Sequence, residues 1–339
     1  MRLRAPAAVL MVLSLLVACS GSKPSAAPSP STSPTASPTP SPTPSPTPAA
    51  RDYLTGLPGR ATGTVVGVKI DNAPLARPYQ VGMRQAAIVY EELAEGGLTR
   101  FLAIFESDTA TSEVGPIRSA RQSDMELIRM FGQIPLAFSG AQPGVVAIVN
   151  ATQRAGEVWN ADYNNYPSAY RLGARRRDAR NFYTKPSTIA SFRSGSSPRD
   201  IGLRFGPLDP GGAATASAVA RFSPDTAVSL RYEPATGTWQ IAQNGFVMRV
   251  APQNVIVQRV TVHGSAFKDV HHMPTPYTVS VGSGTGYVFR NGRRFLVHWT
   301  RNGHGATHFL SASGHDTHLA PGQTFVLLVP TTGSLTFGL

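Results

Sequence analysis

Apolar positions in the first half of the chain come in short, dense runs. Thr64–Ile70 (TVVGVKI) is rich in β-branched residues and predicts a strand buried on both faces. Ala86–Ala94 and Thr99–Ser107 predict two more strands, with Glu95–Gly97 as the tight turn between them. Gly115-Pro116 reads as the opening of a helix, with Pro116 at the first helical position. That helix is expected to run to about Phe131, with Ile117, Leu127, Ile128 and Phe131 as its apolar stripe. Ile134–Gly140 follows as a strand, and the pattern of Gly144–Thr152 suits helix or strand equally. Strands and helices in this order predict an α/β or α+β domain built on a mixed sheet.

The second half has a different rhythm. Short β-rich runs (AVSLRYE, TWQIA, FVMRV, NVIVQRVTV, GYVFR, RRFLVHWT, TFVLLVP) are divided by turn residues, and Asn244-Gly245 and Asn291-Gly292 lie between such runs. Asn-Gly pairs favour the two-residue hairpin turn, so this half predicts a β-rich domain, a sandwich or open barrel. The expected organisation is a domain over residues 53–195, a Gly/Pro/Ser-rich connector over 196–217 and a second domain over 218–339.

The chain opens with a third pattern. Arg2 and Arg4 precede an apolar run ending in LVAC, which has the form of a lipoprotein signal peptide over residues 1–18. Cleavage before Cys19 would leave a thiol for diacylation, and the run is too short to span a bilayer. Cys19 is the only cysteine, so the fold contains no disulfide. Residues 19–52 are dominated by Ser, Pro, Thr and Ala, a composition that cannot offset its own ordering entropy and reads as a disordered, extended linker.

Charge narrows the choice of partners. Lys and Arg total 31 against 19 Asp and Glu, a net charge of +12, and only Lys23, Lys69, Lys185 and Lys268 are lysines. The arginine bias suggests a GC-rich genome, and with the lipobox a Gram-positive bacterium. A basic, exported body suits anionic lipids, anionic cell-wall polymers or an envelope protein. No nucleic-acid-binding signature is present.

Polar residues in the first half gather at element ends. Asp71, Asn72 and Arg77 follow the first strand; Glu91, Glu92 and Glu95 end the second, and Arg100 begins the third. Strand ends are where layered sheets usually bind ligands. Arg118 and Arg121 are placed by the pattern in the first two turns of the predicted helix, the end that favours anions, so they require negative partners. These are supplied by an internal carboxylate, such as Glu92 or Glu95 for Arg118, or by a ligand. A further cluster, Arg171–Arg180 with Tyr163, Tyr166, Tyr170 and Tyr183, suits oxyanions and ring stacking.

All eight histidines lie in the second half, but HGATH (304–308) lacks the glutamate and the helical setting of a zinc protease. No metal site and no cofactor is implied, and there is no phosphate-binding glycine loop or G-x-S-x-G elbow.

Three stretches, VVGVKIDNAPLARP, IVYEELAEGGLTRFLAIF and VGPIRSARQSD, closely resemble the YerB-like bacterial lipoproteins, in which a lipobox and linker precede two domains of unknown function. GYVFRNGRRFLVHWTR and LAPGQTFVLLVP resemble the second of those domains, so the likeness covers Thr64 to Pro330. Where similar proteins carry Pro-His-Asn, this chain has Ala179-Arg180-Asn181; the resemblance therefore implies roles for Asn181 and Tyr183 but not for Arg180. The family carries no established activity. The order strand, Asp, Arg loop and Pro-Arg motif is also distantly similar to the LytR-CpsA-Psr envelope phosphotransferases. That echo implies parts for Asp71, Arg77, Arg118 and Arg121 only.

Three readings follow. The first is a lipid-anchored protein on the outer face of the cytoplasmic membrane, binding an anionic envelope ligand or a partner. The second is an enzyme on a phosphate-containing cell-wall glycopolymer or lipid-linked precursor, with Arg118 and Arg121 stabilising phosphate charge and Asp71 and Glu92, in either order, as metal ligand and general base. The third is a purely structural arginine–carboxylate lattice.

Overall fold

The computed structural model describes residues 50–177, 179–268 and 272–339. The signal peptide, Cys19 and the linker up to residue 49 lie outside the described residues, as do Asp178 and residues 269–271.

The first half contributes β1 (Val65–Asp71), β2 (Ile88–Leu93), β3 (Thr99–Glu106), β4 (Ile134–Phe138) and β5 (Val158–Asp162). Its helices are α1 (Gln122–Ile128), α2 (Pro143–Arg154) and α3 (Pro186–Phe192). β3 runs antiparallel to both β1 and β2, whereas β4 is parallel to β1 and to β5, so the sheet is mixed. The second half is strand-rich.

The strands of the two halves join. Thr324–Pro330 pairs parallel with β2, Thr324 opposite Ile88 and Leu327 opposite Glu91, and on its other edge with Asn254–Val260. One sheet therefore runs through Thr307–Leu310, Arg293–Arg301, Gly282–Arg290, Asn254–Val260, Thr324–Pro330, β2, β3, β1, β4 and β5. A smaller five-stranded sheet, from Phe246–Val247 to Ser334–Gly338, packs on one face of it.

Side-chain alternation sorts the core into two layers. Val66, Val68, Ile70, Val89, Phe101 and Phe105 face the smaller sheet and meet Trp239, Ile241 and Phe289. Val65, Ile88, Tyr90, Leu102 and Ile104 face the helices and meet Leu127, Ile128, Phe131 and Val149. Each such fully buried aliphatic or phenyl side chain contributes about 1.5–3 kcal/mol. Both Asn-Gly pairs form the expected turns, with Asn244 at φ 47°, Gly245 at 82°, Asn291 at 50° and Gly292 at 68°.

The helix expected from Pro116 begins six residues later. Backbone groups of 116–118 are committed to neighbouring extended chain: Pro116 O accepts from Asp71 N (2.8 Å), Ile117 N donates to Phe182 O (2.8 Å) and Arg118 N donates to Lys69 O (3.0 Å). Those bonds leave no i to i−4 pairing for the segment. Arg121 is extended and serves as the N-cap residue of α1, with the Asp124 carboxylate accepting from its N–H at 2.6 Å. Arg118 and Arg121 thus sit ahead of the helix and not inside it. Gly144–Thr152 is helical, within α2.

Candidate functional site

The two-residue period of the strands divides the polar residues between the faces of the sheet. Lys69, Asp71, Glu92 and Arg100 share parity with Val65, Ile88 and Leu102 and therefore face the helices. Asn72, Glu91 and Thr99 have the opposite parity and face the smaller sheet.

Under α1, Lys69 is fully buried between two carboxylates. Its Nζ donates to Glu92 and to Asp124 (2.6 Å), and the Ser123 hydroxyl donates to the other Glu92 oxygen. Burial pulls both carboxyls up; the Lys69 charge holds Glu92 below the usual range, while Asp124, also facing the Glu92 charge, stays raised. This cluster is closed to solvent and clamps α1 to the sheet.

Asp71, also fully buried, is the centre of a second cluster. Its Oδ2 lies 2.7 Å from Arg176 Nη2 and 3.6 Å from Arg118 Nε, and its Oδ1 lies 3.5 Å from Arg100 Nε. The Ala73 amide donates to Oδ1 at 3.0 Å. Burial acts to raise this carboxyl, but Arg100, the Ala73 amide, Arg176 and Arg118 together hold it below the ordinary aspartate value. Asn181, buried, accepts from Arg176 Nη1 at 2.7 Å and so steadies the arginine on Asp71.

The outer side of this cluster opens into a cleft of about 730 Å³. Arg100, Arg118, Arg121 and Glu95 line it, with Gln142 and Pro143 from the start of α2 and Lys268 from the Val262–Lys268 strand. Arg121 pairs with Glu95 (Nη2 to Oε2, 2.5 Å) and donates from Nη1 to Ser119 O and Ala120 O, while its buried Nε has no partner. Gln142 Oε1 accepts from the Gly144 and Val145 amides, so the first turn of α2 is already capped. Arg118 is about one-third exposed. The three guanidiniums that line the cleft, Arg100, Arg118 and Arg121, share two carboxylates, Asp71 and Glu95, and the surplus is positive.

The expected pairing of Arg118 with Glu92 or Glu95 is therefore replaced: Arg118 meets Asp71, Glu92 meets Lys69, and Glu95 meets Arg121. Asn72 and Arg77 belong to a different cluster across the sheet. There Asn72 Nδ2 donates to Thr99 Oγ1 (2.8 Å), and Thr99 donates to Glu91 Oε1 (2.7 Å). The Gln243 amide turns its oxygen to Arg77 Nη2 (3.2 Å) and its nitrogen to Glu91 Oε1 (3.3 Å). Burial pushes Glu91 up to about 7, against the pull of Thr99 and Arg77. Tyr183 makes no hydrogen bond to any of the three clusters among the described residues; its hydroxyl donates to Tyr79 O (3.3 Å) and its ring lies under Arg171 (4.6 Å).

Sequence reasoning passed over Lys69, Asp124 and Arg176 as site residues. Lys69 carried the clearest signal, a lone lysine inside a buried strand two residues before Asp71. Arg176 was hidden within an arginine run, and only the tertiary fold distinguishes it from the exposed Arg175 and Arg177. Among the described residues no group of His, Asp and Glu is arranged to hold a metal. His308 and His318 instead pair with Asp316 (3.1 Å) and Asp209 (2.7 Å).

Residues 54–199 match the family model described as "Protein of unknown function (DUF3048) N-terminal domain", and residues 218–326 match the DUF3048 C-terminal domain. A relative from Bacillus subtilis (strain 168), named "Putative lipoprotein YerB", is 40% identical over 110 residues, covering 30% of this chain and 33% of the relative. The aligned part thus spans about a third of that relative's length. The crystal structure of the YerB protein from Bacillus subtilis has the same fold, with a TM-score of 0.68 at 24% identity, covering 85% of this chain and 99% of that one. With both models matched in order along the sequence, the chain belongs to the DUF3048 family.

Proposed function

We propose that this protein is a lipid-anchored binding protein of the bacterial envelope, and that the cleft lined by Arg100, Arg118 and Arg121 holds an anionic ligand. The observation that carries this reading is the charge surplus: three guanidiniums, Arg100, Arg118 and Arg121, line one cleft against Glu95 in its wall and Asp71 behind it, and the Arg118 side chain is held by a single 3.6 Å ion-pair contact. Lipid anchoring is supported by the LVAC tetrapeptide before Cys19 and by the lipoprotein name of the Bacillus relative. The sequence-based alternative, an enzyme using Asp71 and Glu92, has less support. Both carboxylates are fully buried and already engaged, Asp71 by guanidiniums and Glu92 by Lys69, which leaves neither placed as a base toward the cleft.

Two measurements test the reading. Titration of the folded body with inorganic phosphate and with poly(glycerol phosphate) should give binding that weakens with salt and drops several-fold in Arg118→Gln. Absence of binding to both probes, or indifference to the substitution, refutes the site. Separately, Cys19→Ser should abolish fatty-acid labelling; a variant acylated like the parent refutes the anchor.

A further inference from the structure

The charges around the cleft define the ligand more narrowly. Arg100 and Arg118 converge on Asp71, and Arg121 is held by Glu95, so with three lining guanidiniums against two carboxylates one positive charge lacks a counter-ion among these groups; the exposed Lys268 ammonium adds a second at the rim. The two carboxylates differ in kind. Asp71 is fully buried and fixed by three guanidiniums and a backbone amide. Glu95 sits at the mouth, partly exposed, with a single ion-pair partner, on a turn whose next two residues are Gly96 (φ 63°) and Gly97 (φ 68°). A side chain on such a turn can leave its partner at little backbone cost. Its partner, Arg121, is nine-tenths buried, lines the cleft and keeps an unsatisfied Nε. The cleft therefore already contains an anion belonging to the protein, on the arginine best placed to grip an external one.

Resting on the anion-binding reading above, we infer that the ligand is a phosphomonoester or an oxyanion of like charge, and that Glu95 is an internal carboxylate it displaces from Arg121. A monoanion merely exchanges one carboxylate charge for another at Arg121. A dianion replaces it and also meets the charge left over on Arg118, and guanidinium forks match its oxygens bidentately. Phosphodiesters, with one charge each, are the poorer match.

The test compares methyl phosphate with dimethyl phosphate at pH 8, where the monoester is a dianion because its second ionisation lies near pH 6. The parent should bind methyl phosphate more tightly. Glu95→Gln removes a charge while keeping shape, so the gain should scale with ligand charge: about threefold for dimethyl phosphate and about tenfold for methyl phosphate. In parallel, the Glu95 side-chain carboxyl resonance of the parent should move as methyl phosphate is added, which needs no variant at all. If the parent binds but Glu95→Gln binds equally or more weakly, and the resonance stays still, Glu95 is not displaced and the inference fails while the anion site stands. If neither protein binds either ester, the anion site itself fails.

Discussion

Replacing Lys69 by methionine keeps the length of the side chain and removes the only ammonium beside Glu92 and Asp124. Both carboxylates are fully buried, so neither can recover its hydration without opening the seam between α1 and the sheet. Deleting one partner of a buried ion pair costs about 3–5 kcal/mol, most of it from the charge left behind. For a body of this size each kcal/mol moves the melting temperature by about 2–4 °C, so a loss of roughly 10 °C is expected at neutral pH. The sign of the pH dependence is distinctive. Without Lys69 both carboxyls are raised above their unfolded values, so protonation favours the folded state and the deficit should shrink from pH 8 to pH 5. Neutralising the carboxylates as well, in K69M/E92Q/D124N, should restore more than half of the loss, because Gln and Asn retain acceptors for the Ser123 hydroxyl and the Arg121 amide. Thermal unfolding followed by circular dichroism at the two pH values decides the matter. A K69M variant that melts within about 2 °C of the parent at pH 8, or whose deficit grows on acidification, refutes the account of the clamp.

Other outcomes follow from the same accounting of buried charge. Burial and the neighbouring Asp52 and Asp108 charges push Glu106 up to about 8 from 4.5, so its contribution is fully present below pH 4.5 and lost as pH rises through about 8. Glu106→Gln should therefore flatten the alkaline fall in melting temperature. Asp71 has the opposite sign: held below 3.8, it contributes above that pH and the contribution is lost as pH falls through the native value. Asp71→Asn should lower stability by about 3–5 kcal/mol at pH 7, and by progressively less as the pH falls below 3.8, read by urea unfolding. Gly144→Ala tests packing between the halves, since a Cβ there would sit 2.2 Å from the Phe267 ring. The gain of about 1 kcal/mol in helix propensity should be outweighed, with faster hydrogen exchange in residues 262–268.

Period-two patterning made much of the first-half sheet legible, because runs such as TVVGVKI leave few alternatives to a buried strand. The helix boundary before Gln122 was not legible. Pro116 is equally at home at a helix start and in extended chain, and the bonds that decide between them come from Asp71, Lys69 and Phe182, distant in sequence. The candidate arginines were visible as types, but their partners were not, since pairing is set by which strands adjoin. Glu91 and Glu92 illustrate the difficulty: one residue of register sends them to opposite faces and into unrelated clusters. Likewise, nothing local in TFVLLVP says that it belongs beside β2.

That last strand has a consequence for how the chain acquires its structure. β2 is complete at residue 93, yet the neighbour that pairs with it along Ile88–Glu91 is synthesised about 230 residues later. Until Thr324–Pro330 arrives, the edge of β2 stays open and the two parts of the main sheet have no strand between them. Closing so long a loop makes completion a slow, late event. On the proposed lipid-anchored reading this delay suits export, because translocation needs an unfolded polypeptide and the main sheet cannot close before its penultimate strand appears. The same arrangement makes C-terminal truncation act like a mutation in the middle of the molecule.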